Sequence, residues 1–127
     1  MQSIVLITNC NQILSLINSQ CKGDDISSYK KGNQLNIEME NGRVYITLSN
    51  EIVEDFEYGE MQCIHKLFPD NIFFYLICYT NNAVLNKLMK QLIFKEKVYV
   101  DDDKGNIFTF NEFKEYCLKT FVEWYSI

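Results

Sequence analysis

The chain has 127 residues, 47% of them hydrophobic and 14% aromatic, with 17 acids against 12 Lys and Arg and a formal net charge of −5. That content suits one well-filled domain and excludes disorder. It also argues against direct binding to nucleic acid, because phosphate contacts need Lys and Arg in excess.

Ser3 to Thr8 is apolar and β-branched and reads as a buried strand. Asn9 is placed to cap a helix over Asn11 to Cys21, with Ile13, Leu14, Leu16 and Ile17 as its apolar side. Lys22 to Gly32 is polar, carries two glycines and reads as a loop. Leu35, Ile37 and Met39 then alternate with polar residues, as do Val44, Ile46 and Leu48. The Asn41-Gly42 pair between these runs is a strong hairpin signal, and it puts Glu38 and Glu40 on the solvent face.

Met61, Ile64, His65, Leu67 and Phe68 have helical spacing, and Pro69 stops the pattern. Gly59 is the expected boundary between this helix and Glu51 to Tyr58. Asn71 to Tyr79 is a long apolar, aromatic run and reads as a central strand. Asn82 to Phe94 repeats apolar residues at helical spacing. Val98 to Val100 and Asn106 to Phe110 flank the turn Asp101 to Gly105 and form a second hairpin.

The final helix is the best specified. Thr109 and Glu112 have capping-box spacing, and Phe108 can staple onto Phe113. Phe113, Cys117, Phe121 and Trp124 then share one helical face. The order is roughly βαββαβαββα. It predicts a single α+β domain over residues 1–127, with a mixed or mainly antiparallel sheet and packed helices.

The five cysteines have no CxxC spacing and read as free, buried thiols in a reducing compartment. The first residues, MQSIVLITN, lack a basic segment and a long apolar run, so no signal peptide is expected. No run approaches the length of a spanning helix. The expectation is a soluble, cytoplasmic chain.

The chemistry-bearing signals are weak. Asp101, Asp103, Gly105 and Glu112 evoke a calcium loop, but neither register supplies ligands at 1, 3, 5 and 12 with Gly at 6. His65 is the lone histidine, and Cys63 two positions away lies on a different helix face. Phosphate loops, nucleophile elbows and HExxH are missing. No cofactor, no metal and no catalytic residue is expected.

What stands out is charge. Between Glu38 and Glu60 lie seven acids against the lone Arg43, a local charge of −6 in a chain whose total is −5. A solvated face is the ordinary fate of such a run. Here, however, the stretch Glu51 to Glu60 holds five acids and no base. Ile52, Val53, Phe56 and Tyr58 are interleaved with them, as in interfaces anchored by aromatics. The basic residues Lys87, Lys90, Lys95 and Lys97 are segregated elsewhere.

The strings IHKLFPDNIFFYLICY and KVYVDDDKGNIFTFNEF, within residues 64 to 120, resemble small bacterial immunity proteins, especially those of contact-dependent growth inhibition systems. The resemblance lies in hydrophobic order and turn chemistry. It implies a non-enzymatic protein that binds the toxic C-terminal domain of a secreted effector. Many such domains are nucleases with basic clefts, which an acidic, aromatic-studded surface would fit by complementary charge.

The candidate contact surface is Glu51, Glu54, Asp55, Phe56, Glu57, Tyr58 and Glu60, with Asp101, Asp102 and Asp103 as a second patch. Two other readings compete. One is a small enzyme or ligand-binding domain that uses Glu54, Asp55 and Glu57 with His65 in an acidic pocket. The other is a subunit of a cytosolic assembly.

Overall fold

The computed structural model describes residues 1–51, 56, 58–69 and 71–125, with side chains described through Lys119 in the last helix. Along the chain run β1 (Gln2–Thr8), α1 (Ile13–Gln20), β2 (Ile26–Lys31), β3 (Gln34–Met39), β4 (Gly42–Leu48), α2 (Tyr58–Leu67), β5 (Phe73–Tyr79), α3 (Asn82–Gln91), β6 (Val98–Asp101), β7 (Ile107–Thr109) and α4 (Phe110–Tyr125).

The strands form one sheet in the order β2-β3-β4-β5-β1-β6-β7. Every pairing is antiparallel. The expected α+β class is what forms. Phe73–Tyr79 lies in the middle of the sheet, with Phe74 buried.

Strand alternation sends two sets of side chains to two faces. One face carries Ile4, Leu6, Leu35, Ile37, Val44, Ile46, Tyr75 and Ile77, all buried under α1, α3 and α4. Burying each of the aliphatic side chains is worth about 1.5–3 kcal/mol, so this is the main core. The second face carries Val5, Ile7 and Phe74, covered by Ile64 and Phe68 of the α2 segment. A short cation device seats that segment. Lys97 Nζ donates to the Leu67 carbonyl at 2.7 Å and lies 5.1 Å from the Phe68 ring centroid. A positive charge at a helix C-terminus and over an aromatic face is favourable on both counts.

Four local expectations need correction. Residues 26–31 are an edge strand and not part of a loop. Their sequence, ISSYKK, is polar because an edge strand is exposed. Gly32 opens the two-residue turn into β3 at φ 59°, the glycine-first pattern that keeps hairpin twist.

In the β3–β4 hairpin, Met39 pairs with Gly42, so Glu40 and Asn41 make the turn and Gly42 lies in the strand. A Cβ on Gly42 would sit 2.1 Å from Thr80 Oγ1 and 2.7 Å from Val84 Cγ2. The glycine is there for close approach, not for turn geometry. Asn9 caps nothing: α1 starts at Ile13 after Gln12, without a side-chain cap. Gly59 does not divide α2 but lies in its first turn.

Other signals hold. Asn81 Oδ1 accepts from Val84 N at 2.9 Å and caps α3. At α4, Glu112 N donates to Thr109 Oγ1 at 3.2 Å and Thr109 N donates to Glu112 Oε1 at 3.0 Å, the reciprocal capping box. Phe108 and Phe113 are 6.1 Å apart at their ring centroids. Phe113 and Cys117 are buried as expected. Phe121 and Trp124 lie beyond the described side chains.

A candidate acidic cleft at one end of the sheet

β1 starts, β5 ends and the β6–β7 hairpin turns at the same end of the sheet. There, on the face that α2 partly covers, a cleft of about 320 Å³ opens. Its walls include Val5 and Leu76 of the central strands and Phe56. Its rim includes Glu60 of α2 with Asp101 and Asp103 of the hairpin. Two acidic segments far apart in sequence therefore meet at one opening.

The hairpin turn is built by its own acids. Asp101 Oδ1 accepts from Asp103 N at 2.9 Å. Asp102 Oδ1 accepts from Lys104 N at 2.9 Å and from Asn106 N at 3.2 Å, and Asn106 Nδ2 donates to Asp102 Oδ2 at 3.1 Å. Such Asx bonding favours a tight turn. Asp103 (φ 65°) and Gly105 (φ 86°) take its left-handed positions. Asp103, exposed, points no hydrogen bond inward among the described residues and is the outer acid of the rim.

Asp101 is not the open surface acid that was expected, since it is only 6% exposed. Burial raises its pKa above the ordinary carboxylate range. The bond from Asp103 N pulls it down, while the negative charges of Glu60, Asp102 and Asp103 push it further up. Lys104 follows Asp103 in the turn, but no base lines the cleft itself among the described residues. The cleft thus favours a cation, which would relieve both Asp101 and its neighbours.

The remaining expected contacts divide. Tyr58 is 80% exposed in the first turn of α2, an open aromatic beside the cleft's acid Glu60. Phe56 is half-buried instead, with its ring centroid 5.5 Å from that of Phe74. Phe56 is a wall of the cleft, held by the second core. Asp102 is half-buried, with both oxygens engaged in the turn. Glu51 is exposed and lines no cleft described here. Glu54, Asp55 and Glu57 lie outside the described residues.

His65 is exposed and lines neither this cleft nor the larger cavity on the opposite face. Among the described residues no group of three or more His, Cys, Asp or Glu is placed to hold a metal ion, and no helix is long and apolar enough to cross a membrane.

The cysteines are free but not uniformly buried. Cys21 and Cys117 are buried, and burial pushes their thiols up to about 11 and about 12. Cys10 and Cys78 are half-buried, and Cys63 is exposed. Two of the segregated lysines have defined structural roles. Lys87 pairs with Asp25, and Lys97 is the cap on α2. Comparison with protein-family models, with curated proteins and with solved structures gives no match.

Proposed function

We propose that this chain is a stoichiometric protein inhibitor of the immunity type, which neutralises the basic toxic nuclease domain of a secreted effector. The observation that carries the reading is the meeting of Glu60, Asp101 and Asp103 around one cleft with Phe56 in its wall. Acids brought together from α2 and the β6–β7 hairpin, with Lys104 of the turn outside the cleft lining, suit an incoming Lys or Arg. Tyr58 supplies an exposed aromatic at the same end of α2, the residue type that anchors interfaces.

Charge at the rim acts mainly on encounter. It speeds association and makes it salt-dependent. Tyr58, once covered, acts mainly on dissociation. Asp101 adds pH dependence. A bound cation favours its ionised form, so binding weakens as pH falls through its raised pKa.

The test uses the C-terminal domain of a large secreted protein encoded beside this chain. The purified chain should bind that domain in a one-to-one complex and protect cells that express it. Glu60→Lys with Asp103→Lys should slow association about tenfold at low salt and flatten its salt dependence. Tyr58→Ala should raise dissociation by about 2 kcal/mol. Binding that ignores the double reversal, or a domain that remains toxic in its presence, removes the proposal.

A further inference from the structure

On the opposite face at the same sheet end lies a larger cavity of about 510 Å³. Ligand sites fall in the range of roughly 300–1,000 Å³ and combine apolar walls with a few placed polar groups. This one has Ile4 of β1, Leu85 of α3 and Phe113 of α4 as apolar wall. Tyr79 and Asn86 also line it. Both are more than nine-tenths buried, at 7% and 5% exposed.

Neither the Tyr79 hydroxyl nor the Asn86 amide makes a side-chain hydrogen bond among the described residues. Gln91 Oε1 is the sole sealed polar atom without a partner among them. The polar ends of Tyr79 and Asn86 are therefore not sealed, and both residues line the cavity. Open to the cavity, they are left to pair with water or with an occupant. Two such groups beside an apolar wall suit an occupant with polar edges. An aliphatic side chain from a partner protein would leave both unpaired.

The inner wall at Tyr79, Asn86 and Cys117 is uncharged, while Asp102, Asp103 and Lys104 line the cavity with charges of both signs. Burial raises the Tyr79 hydroxyl, with Cys117 and Asp103 adding to the rise, and burial holds the Cys117 thiol at about 12. Tyr79 stays a neutral donor and acceptor, and Cys117 stays a thiol, inert as a nucleophile. Asn86 offers one acceptor and two donors from a single plane. That plane matches a carboxamide or lactam edge. A carboxylate drawn in to Asn86 and Tyr79 would lose its hydration beside groups that carry no charge, and that disfavours an anion.

We propose that this cavity is a binding site for a small, neutral, planar aromatic molecule that carries a carboxamide or lactam group, paired with Asn86 and Tyr79. The site opens on the other face of the sheet from the acidic cleft, and the two share Ser3 and Asp103 at the sheet end.

The probes are benzamide, benzoate and N,N-dimethylbenzamide, titrated into the full chain and followed by protein chemical-shift changes. Benzamide should bind in the millimolar range, with shifts clustered on α3, α4 and the start of β1. Benzoate, an anion of the same shape, should bind at least tenfold more weakly. The dimethyl amide, which has no donors, should also bind several-fold more weakly than benzamide. Asn86→Leu should cost benzamide at least tenfold. Tyr79→Phe, which keeps the ring and the fold, should cost it several-fold and serves if Asn86→Leu fails to fold. Equal binding of benzamide and benzoate, indifference to Tyr79→Phe, or no saturable binding of benzamide overturns the proposal.

Discussion

Replacing Gly42 by alanine puts a methyl group where three neighbours already stand. Its Cβ would lie 2.1 Å from Thr80 Oγ1, 2.7 Å from Val84 Cγ2 and 3.3 Å from Asn81 Nδ2, where ordinary contact begins at 3.4 Å. Those neighbours are not idle. Arg43 N donates to Thr80 Oγ1 at 3.1 Å, Asn81 Nδ2 donates to the Asn41 carbonyl at 3.0 Å, and Asn81 Oδ1 caps α3. Val84 is buried and, being β-branched in a helix, has one favoured rotamer. Thr80 can swing away only by leaving Arg43 N without its acceptor. Overpacking costs about 1–3 kcal/mol, and losing a cap or a hydrogen bond adds about 1 kcal/mol more. The expected loss is about 3 kcal/mol, read as a urea midpoint lower by roughly 1–2 M. Gly59→Ala is the control. Nothing lies within 4 Å of its Cβ, so the change should be neutral or stabilise by up to about 1 kcal/mol. A Gly42→Ala loss under 1 kcal/mol, or equal effects of the two changes, refutes the close-approach reasoning.

Asp101→Asn should stabilise the fold at neutral pH, because it removes a buried charge and keeps an acceptor for Asp103 N. Asp101 has a raised folded pKa, so its penalty is absent below the ordinary carboxylate pKa near 3.8 and appears as pH rises through the folded value. Melting curves of both proteins should converge in acid; a constant gap at every pH contradicts the account. The capping box has the opposite sign. The Thr109 backbone and hydroxyl hold Glu112 below its usual pKa, so its contribution exists at neutral pH and fades as pH falls through that lowered value. Thr109→Ala should cost about 1 kcal/mol, and Glu112→Gln should mainly remove the acid-side fading in a pH series of thermal melts. For the thiols, native labelling at pH 8 should modify Cys63 first and leave Cys21 and Cys117 intact until denaturant is added; early modification of Cys117, followed by mass spectrometry of peptides, counts against the packing of α4.

Most of the framework was legible because its signals are local. The capping box, the Phe108–Phe113 staple and the apolar run Phe73–Tyr79 each lie within a few residues, and each formed. The edge strand Ile26–Lys31 was not legible, since its stability comes from pairing with Gln34–Met39 and not from its own polar sequence. Asn41-Gly42 announced the hairpin but misplaced its turn by one residue, because the need for glycine came from Thr80 and Val84, about forty positions away.

The candidate site followed the same division. Charge drew attention to Glu60 and to Asp101–Asp103, yet only the strand order could bring them to one cleft. The larger cavity was missed altogether. Its one sequence sign is Asn86, a polar residue set between Leu85 and Leu88 on the packed side of α3, which reads as a blemish until the empty space beside it is seen.

The position of β1 governs how this chain can fold. The first strand sits between β5 and β6, so neither of its partners exists until much of the chain has been synthesised. The β2–β3–β4 meander closes through short turns and can assemble early, since local loops cost little entropy to close. Ile4, Leu6 and Ile7, fully apolar and nearly inaccessible in the finished sheet, must wait exposed on the nascent chain. Insertion of that strand is then the step that joins the two halves of the sheet. Because β1 pairs only with strands distant in sequence, its insertion closes long loops, and long-range pairing of that kind slows folding.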